Sequence, residues 1–234
     1  MTAVGAGADE TQAYAPRVVT VEGVEVAFVA FTDTFAVPVR HRDLWGAGPQ
    51  QPGTALLLDR DRVIGAVAEA RRLADTRAAG LVVVSMHWGY EYVRHPAPPD
   101  RALALAVIEA GADIVVGHHP HVTQGVEVYR DRLILYSLGN LLFDSEKSPD
   151  RTVGALVTFS RASPEAPWLA AECRLTALAM DRTRLAACPP GDPGARSALA
   201  EIARLSASLG TAAELSDEDE LVIALVQEET AGGP

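Results

Sequence analysis

Apolar residues in this chain fall into short β-branched runs separated by segments with a helical period. Leu81 to Val84 and Ile114 to Val116 are continuous apolar runs, the pattern of strands buried on both faces. Ahead of the first run, Val63, Ile64, Val67, Ala70, Leu73 and Ala74 recur at helical spacing between Asp59 and Arg77, with charges on the other face and Gly80 just beyond. Ahead of the second, Pro98-Pro99-Asp100 opens a segment in which Leu103, Val107 and Ala110 share a face, and Gly111 closes it. Helix, strand, helix, strand with short connections predicts βαβ units in a parallel sheet.

The flanks have a different period. Val18 to Thr20 and Val24 to Phe31 predict two strands joined by a tight turn at Gly23. Residues 1 to 15 predict a loop or tail, and the segment from Asp33 to Pro52 a long surface loop with the character of a lid. Beyond Ile114 to Val116, Gly125 to Tyr129 and Leu133 to Ser137 flank Arg130-Asp131-Arg132 as an antiparallel hairpin. Thr152 to Ser160 and Leu169 to Met180 predict two more strands, Ala195 to Leu209 a helix with Leu199, Ile202, Leu205 and Leu209 inward, and Leu221 to Val226 a last apolar piece. No internal repeat or low-complexity tract is present, and the expectation is one α/β domain over 1–234.

Composition narrows the function classes. With 234 residues and 48% hydrophobic content the chain can bury one sizeable core. A net charge of −11 argues against nucleic acid or an anionic membrane surface as partner. Cys173 and Cys188 are too few for a disulfide framework and form no CxxC. No apolar run reaches bilayer length and no signal-peptide pattern opens the chain, so it reads as cytoplasmic as given.

The chemistry concentrates where two strands end. Gly117 stops the second apolar run, and the loop after it carries His118, His119 and His121, with Pro120 fixing the backbone between the last two. His87 stands at the end of the first run in the same way. In open α/β sheets the ligand crevice lies outside the carboxyl ends of the strands, so His87, His119 and His121 are expected at one edge as metal ligands. A divalent transition metal such as Mn, Zn or Fe held there lowers the pKa of bound water and offsets charge on a phosphoryl or carbonyl oxygen. The plainer alternative is hydrogen-bonded structural histidines. His118 points away from His119 in an extended segment and is either a support for a ligand or a solvated residue; His41 and His95 have no partner in view. Glu91 is a candidate acid or base beside His87, or a salt-bridge partner of Arg94. Tyr92, Ser137 and Asn140 are candidate substrate contacts, Ser137-Leu138-Gly139-Asn140 being either a loop lining the crevice or a plain turn.

HWGYEY, then AGADIVVGHHPHVTQGVEVY, then LILYSLGNLLFD, in that order, resemble the CapA/PgsA family, the poly-γ-glutamate capsule-synthesis proteins related to calcineurin-like metallophosphoesterases. The resemblance runs from about Val18 to Asp144, with a weaker likeness near Ala198 to Leu209. It implies a metallophosphoesterase-like layered α/β/β/α sandwich, with His87, His119 and His121 as metal ligands and a small-molecule or polymer substrate; Glu91, Ser137 and Asn140 match family motif positions, and His87 and Glu91 are the catalytic candidates from their place in the loop after the strand.

The departure from the family pattern is in the front part. Members begin with a Gly-Asp strand, a further acidic motif and an Asn-His motif, and none of these is in this sequence. The chain thus resembles the C-terminal part of such a protein, with the N-terminal half apparently missing. Three imidazoles without bridging carboxylates suit a dinuclear centre poorly, since two dications about 3.5–4 Å apart need anions between them; Asp33 is the one carboxylate placed to substitute in part. Three expectations follow: a CapA-like metal-dependent hydrolase, a non-catalytic binding or assembly component, or a chain whose native start lies upstream, with membrane or cell-surface association in that last case. An absent half-sheet would leave an edge and an apolar face for a homo-oligomer or partner chain.

Overall fold

The computed structural model describes residues 3–33, 44–76, 80–141, 143, 151–163, 166–180 and 185–225. His41 and Asp144 fall outside them, as does half of the expected lid, residues 34–43. The first fifteen residues, expected as a tail, form β1 (Ala6–Gly7) and α1 (Glu10–Tyr14). Side-chain chemistry rather than periodicity orders them. Asp9 caps α1 by accepting from Gln12 N at 2.8 Å, and Tyr14 Oη donates to Leu56 O at 2.7 Å.

β2 (Arg17–Val21) and β3 (Val24–Thr32) make the expected hairpin. Glu22 and Gly23 take φ of 50° and 85°, the pair of left-handed residues that a two-residue turn needs to match strand twist. β4 (Gly53–Thr54) pairs with β1, and the two predicted helices appear as α2 (Arg60–Asp75) and α3 (Pro98–Glu109). They alternate with β5 (Leu81–His87) and β6 (Ile114–His118), and a second hairpin, β7 (Val126–Tyr129) and β8 (Arg132–Leu135), follows. These strands form one six-stranded sheet in the order β2-β3-β5-β6-β8-β7. The four inner strands are parallel and the two edge strands antiparallel.

The remainder builds a second sheet from β9 (Arg151–Ser160), β10 (Leu169–Met180), β11 (Leu185–Ala187), β12 (Glu214–Leu215) and β13 (Glu220–Ala224), antiparallel throughout, with α4 (Pro193–Ser208) alongside. The period of two along each inner strand divides the core. Ala27, Val29, Phe31, Val82, Val84, Met86, Val115 and Ile134 face α2 and α3. Ile114, Val126, Leu133 and Leu135 face the other way, onto Leu175, Leu199, Ile202, Leu221 and Ile223 of the second sheet and α4. The chain is therefore a mixed α/β structure with several sheets. Of the apolar face expected to stand open, α4 and the second sheet cover the part formed by β6, β8 and β7, while Phe28 and Ala30 of β3 and Ser85 of β5, on the same face, stay partly exposed. At the edge, β2 leaves Val18 and Val21 exposed.

Asp113, 1% exposed, ties the entrances of these strands together. Its Oδ2 accepts from Val82 N at 2.7 Å and from Arg71 at 3.2 Å, while Oδ1 lies 3.2 Å from Arg132. Burial raises its pKa, and the two guanidinium groups and the Val82 amide oppose that shift. Among the described residues no helix is long and apolar enough to cross a membrane.

Candidate functional site

Three parallel strands end in register: Thr32 of β3 lies beside His87 of β5, and His87 beside His118 of β6. The strand-end logic read from the sequence thus has a structural basis, because parallel pairing without a slip brings equivalent positions to one edge. Asp33 N donates to His87 O at 2.7 Å and Trp88 N to His118 O at 3.1 Å, so the first loop residues stay pinned to the neighbouring strand. Gly117 is required at this point. A Cβ there would lie 2.0 Å from Tyr136 O and 2.5 Å from Trp88 Nε1, which donates to that same oxygen at 3.0 Å.

Past His118 the backbone is strained. His119 and His121 have φ of 103° and 60°, and Tyr92 in the facing loop has 61°. Left-handed conformations in non-glycine residues cost about 1–3 kcal/mol each and persist where surrounding contacts impose them. Here Tyr92 N donates to Pro120 O at 2.7 Å, and Gln124 Nε2 to Val93 O at 2.8 Å, stitching the loops after β5 and β6 together.

The imidazoles meet. Ring centroids of His87 and His119 are 4.4 Å apart, His119 and His121 5.7 Å, and His87 and His118 5.4 Å. Two rings sharing an ion at about 2.0–2.1 Å from each nitrogen have centroids roughly 4.5–5.5 Å apart; the His87–His119 pair lies just below that range and the His119–His121 pair just above it, so the rings are neighbours without standing at ligand spacing. Two of the rings are also oriented. His87 Nδ1 lies 3.2 Å from Thr32 Oγ1, whose own hydrogen goes to Asp33 O at 3.1 Å. His121 Nδ1 lies 2.7 Å from Asn140 Oδ1. Both partners act as acceptors, which assigns the proton to Nδ1 and leaves Nε2 as the free lone pair in each ring. Such oxygen partners commonly set the tautomer of metal-ligating histidines.

Burial lowers the pKa of His87, His118 and His119, and neighbouring imidazoles push each further down; Glu91 opposes this at His119. The rings are therefore neutral near pH 7, as ligands must be. A full coordination set is not assembled: among the described residues no group of three or more His, Cys, Asp or Glu side chains is disposed to hold a metal ion. Two further carboxylates lie close by. Asp100 has its pKa raised, by burial first and then by Asp33, and its Oδ2 is buried with no hydrogen-bond partner among the described residues. That oxygen sits 3.7 Å from where a Cβ of Gly89 would be, two residues past His87.

The other expected residues divide. Glu91 is exposed near His119, and Arg94, its suggested salt-bridge partner, instead pairs with Glu201 at 3.3 Å. Tyr92 is exposed at the rim, its ring 6.0 Å from that of His121, with Phe143 on another side at 4.7 Å. Asn140 orients His121. Ser137 is buried and its Oγ accepts from Gly139 N at 3.3 Å, which shapes the turn. His95 lies apart from the imidazoles, beside a surface cavity lined by Arg101 and Leu105. Thr32 and Trp88 were not singled out from the sequence. Thr32 had one signal, its position at the end of a strand like that of His87.

The family model described as bacterial capsule synthesis protein PGA_cap matches residues 1–145. The chain is 44% identical over 124 residues to the capsule biosynthesis protein CapA of Bacillus anthracis, a match covering 53% of this chain and 28% of that protein. It is 43% identical over 124 residues to the PGA biosynthesis protein CapA of Bacillus subtilis, covering 53% and 30%. A probable polyglutamine synthesis accessory protein of Mycobacterium tuberculosis is 38% identical over 147 residues, 61% of this chain and 37% of that one. The matches thus span about a third of these relatives' length. The matched region holds β1 to β8, both histidine loops and the Ser137 to Asn140 turn, and on that ground this chain belongs to the bacterial capsule synthesis protein family.

Proposed function

We propose that the chain is a CapA-like component of capsule or poly-γ-glutamate biosynthesis that acts as a metal-dependent hydrolase of the phosphoester type, on a metallophosphoesterase-like sandwich. The observation that carries this reading is the convergence of His87, His119 and His121 at the in-register ends of β5 and β6, two of the rings oriented through Nδ1. His87, His119 and His121 would hold a divalent transition metal through Nε2. Such an ion supplies an activated water and offsets charge on a phosphoryl oxygen. Thr32 and Asn140 keep the two rings from rotating, Glu91 stands beside His119 as the candidate proton carrier, and Tyr92 and Asn140 line the approach for substrate. Phe143 lies against the His121 ring and shields it from water on that side.

A second reading, a non-catalytic binding or assembly component, is favoured by the lack of a three-donor set among the described residues. One experiment separates the two. The purified chain is incubated with manganese or zinc, desalted, analysed for bound metal and assayed on phosphomonoester and phosphodiester substrates. Stoichiometric metal and turnover lost in His119→Ala support the hydrolase; metal-free protein without activity leaves the assembly role.

A further inference from the structure

Beside the imidazole edge lies a cavity of about 260 Å³ with no part in the reading above, lined by Arg94, Thr123, Arg151, Gly194, Ser197 and Glu201. Arg94 follows β5, Thr123 follows β6, Arg151 begins β9, and the rest come from the first turns of α4, so the cavity occupies the seam between the two sheets. Along the chain it neighbours the histidine loop. Thr123 is two residues past His121 and bridges to Leu138, and a Cβ on Gly139 would sit 2.9 Å from Thr152 Oγ1, next to Arg151.

The charges here run against those of the whole molecule. Glu201 serves two guanidinium groups, Arg94 at 3.3 Å and Arg204 at 3.8 Å. Asp192 divides its oxygens between Ala195 N at 2.7 Å and Arg151 at 3.2 Å. Among the described residues the cavity wall itself carries two guanidinium groups, Arg94 and Arg151, and one carboxylate, Glu201, in a chain whose net charge is −11. The carboxylates also hold Arg94 and Arg151 in place on the cavity wall, so a ligand need not freeze them. Planar guanidinium forks with hydroxyls of Thr123 and Ser197 nearby are donors suited to an oxyanion.

We propose that this cavity is an oxyanion subsite, taking a phosphate or carboxylate group of a ligand whose other end reaches the imidazole edge. The inference stands apart from the hydrolase reading, because it requires no metal. The test uses the full chain in the presence of a chelator at constant ionic strength, titrated with inorganic phosphate and, separately, with glutarate, and followed by amide NMR. Saturable shifts at Thr123 and Ser197 are expected, with a Kd weakened about tenfold in Arg94→Gln, the loss of one charge-assisted contact. Arg196→Gln, on the same helix but paired with Asp219, should leave the Kd within about twofold. Arg151→Gln provides a second variant, and thermal unfolding confirms that each remains folded. Saturation by phosphate alone assigns a phosphoryl group, by glutarate alone a carboxylate, and by both a general oxyanion subsite. No saturable shift with either anion, or an unchanged Kd in folded Arg94→Gln and Arg151→Gln, overturns the proposal.

Discussion

Gly117→Ala tests how the strand pair behind the histidine loop is built. The new Cβ would stand 2.0 Å from Tyr136 O, 2.7 Å from Tyr136 C and 2.5 Å from Trp88 Nε1. Ordinary contacts at carbon are about 3.4 Å or more, so β6 must withdraw from β8 by over about 1 Å, or the indole must leave its place. Neither is cheap. Trp88 is 1% and Tyr136 0% exposed, and their hydrogen bond is buried. Overpacking costs about 1–3 kcal/mol and leaving a buried donor unpaired about 1–3 kcal/mol, giving a destabilisation of about 2–6 kcal/mol. At about 2–4 °C per kcal/mol for a chain of this size, the melting temperature should fall by roughly 4–24 °C. Urea unfolding followed by circular dichroism measures the energy, and the Trp88 indole N–H resonance reports whether its bond survives. Because His118 follows directly, the ring resonances of His118 and His119 should shift as well. A variant within about 0.5 kcal/mol of the parent, with the indole resonance unmoved, would refute the account.

Asn140→Ala should weaken zinc binding about 10–100-fold by releasing His121, with little change in fold stability; calorimetric affinities equal to those of the parent would remove Asn140 from that role. Stability should decline as pH falls from about 6.5 to about 5. His87, His118 and His119 have folded pKa values lowered from an unfolded value near 6.5, so their contribution is fully present above that value and is lost as the pH drops toward the folded ones. Denaturation midpoints that stay level across this window, or a slope unchanged in His118→Gln, would contradict the assignment of neutral buried rings.

The legible part of the site came from local patterns. Apolar runs ending in Gly117 and in Ser85-Met86-His87 located two strand ends, and parallel strands without a slip must then bring those ends together. The same reasoning placed Asn140 in the neighbourhood but not its bond to His121, nineteen residues away in sequence. Thr32 was passed over for Asp33 because a hydroxyl at a strand end carries no chemical signature of its own until a ring is set beside it. Helices α2, α3 and α4 and most strands were recovered from apolar period. The segment β1–α1 was missed because a five-residue helix has too few turns to show a period and is held by Asp9 and Tyr14.

What the sequence by itself determined is therefore the order of elements, the edge at which the histidines stand and the family. These follow from hydrophobic spacing and from residues close together along the chain. Only the tertiary structure decided that α4 and the second sheet pack onto β6, β8 and β7 of the six-stranded sheet, that Nδ1 of His87 and His121 is already engaged, and that Arg94 turns away from Glu91 toward Glu201. Each of these is a contact between residues distant in sequence, settled by how whole layers pack and which polar groups burial forces to find partners.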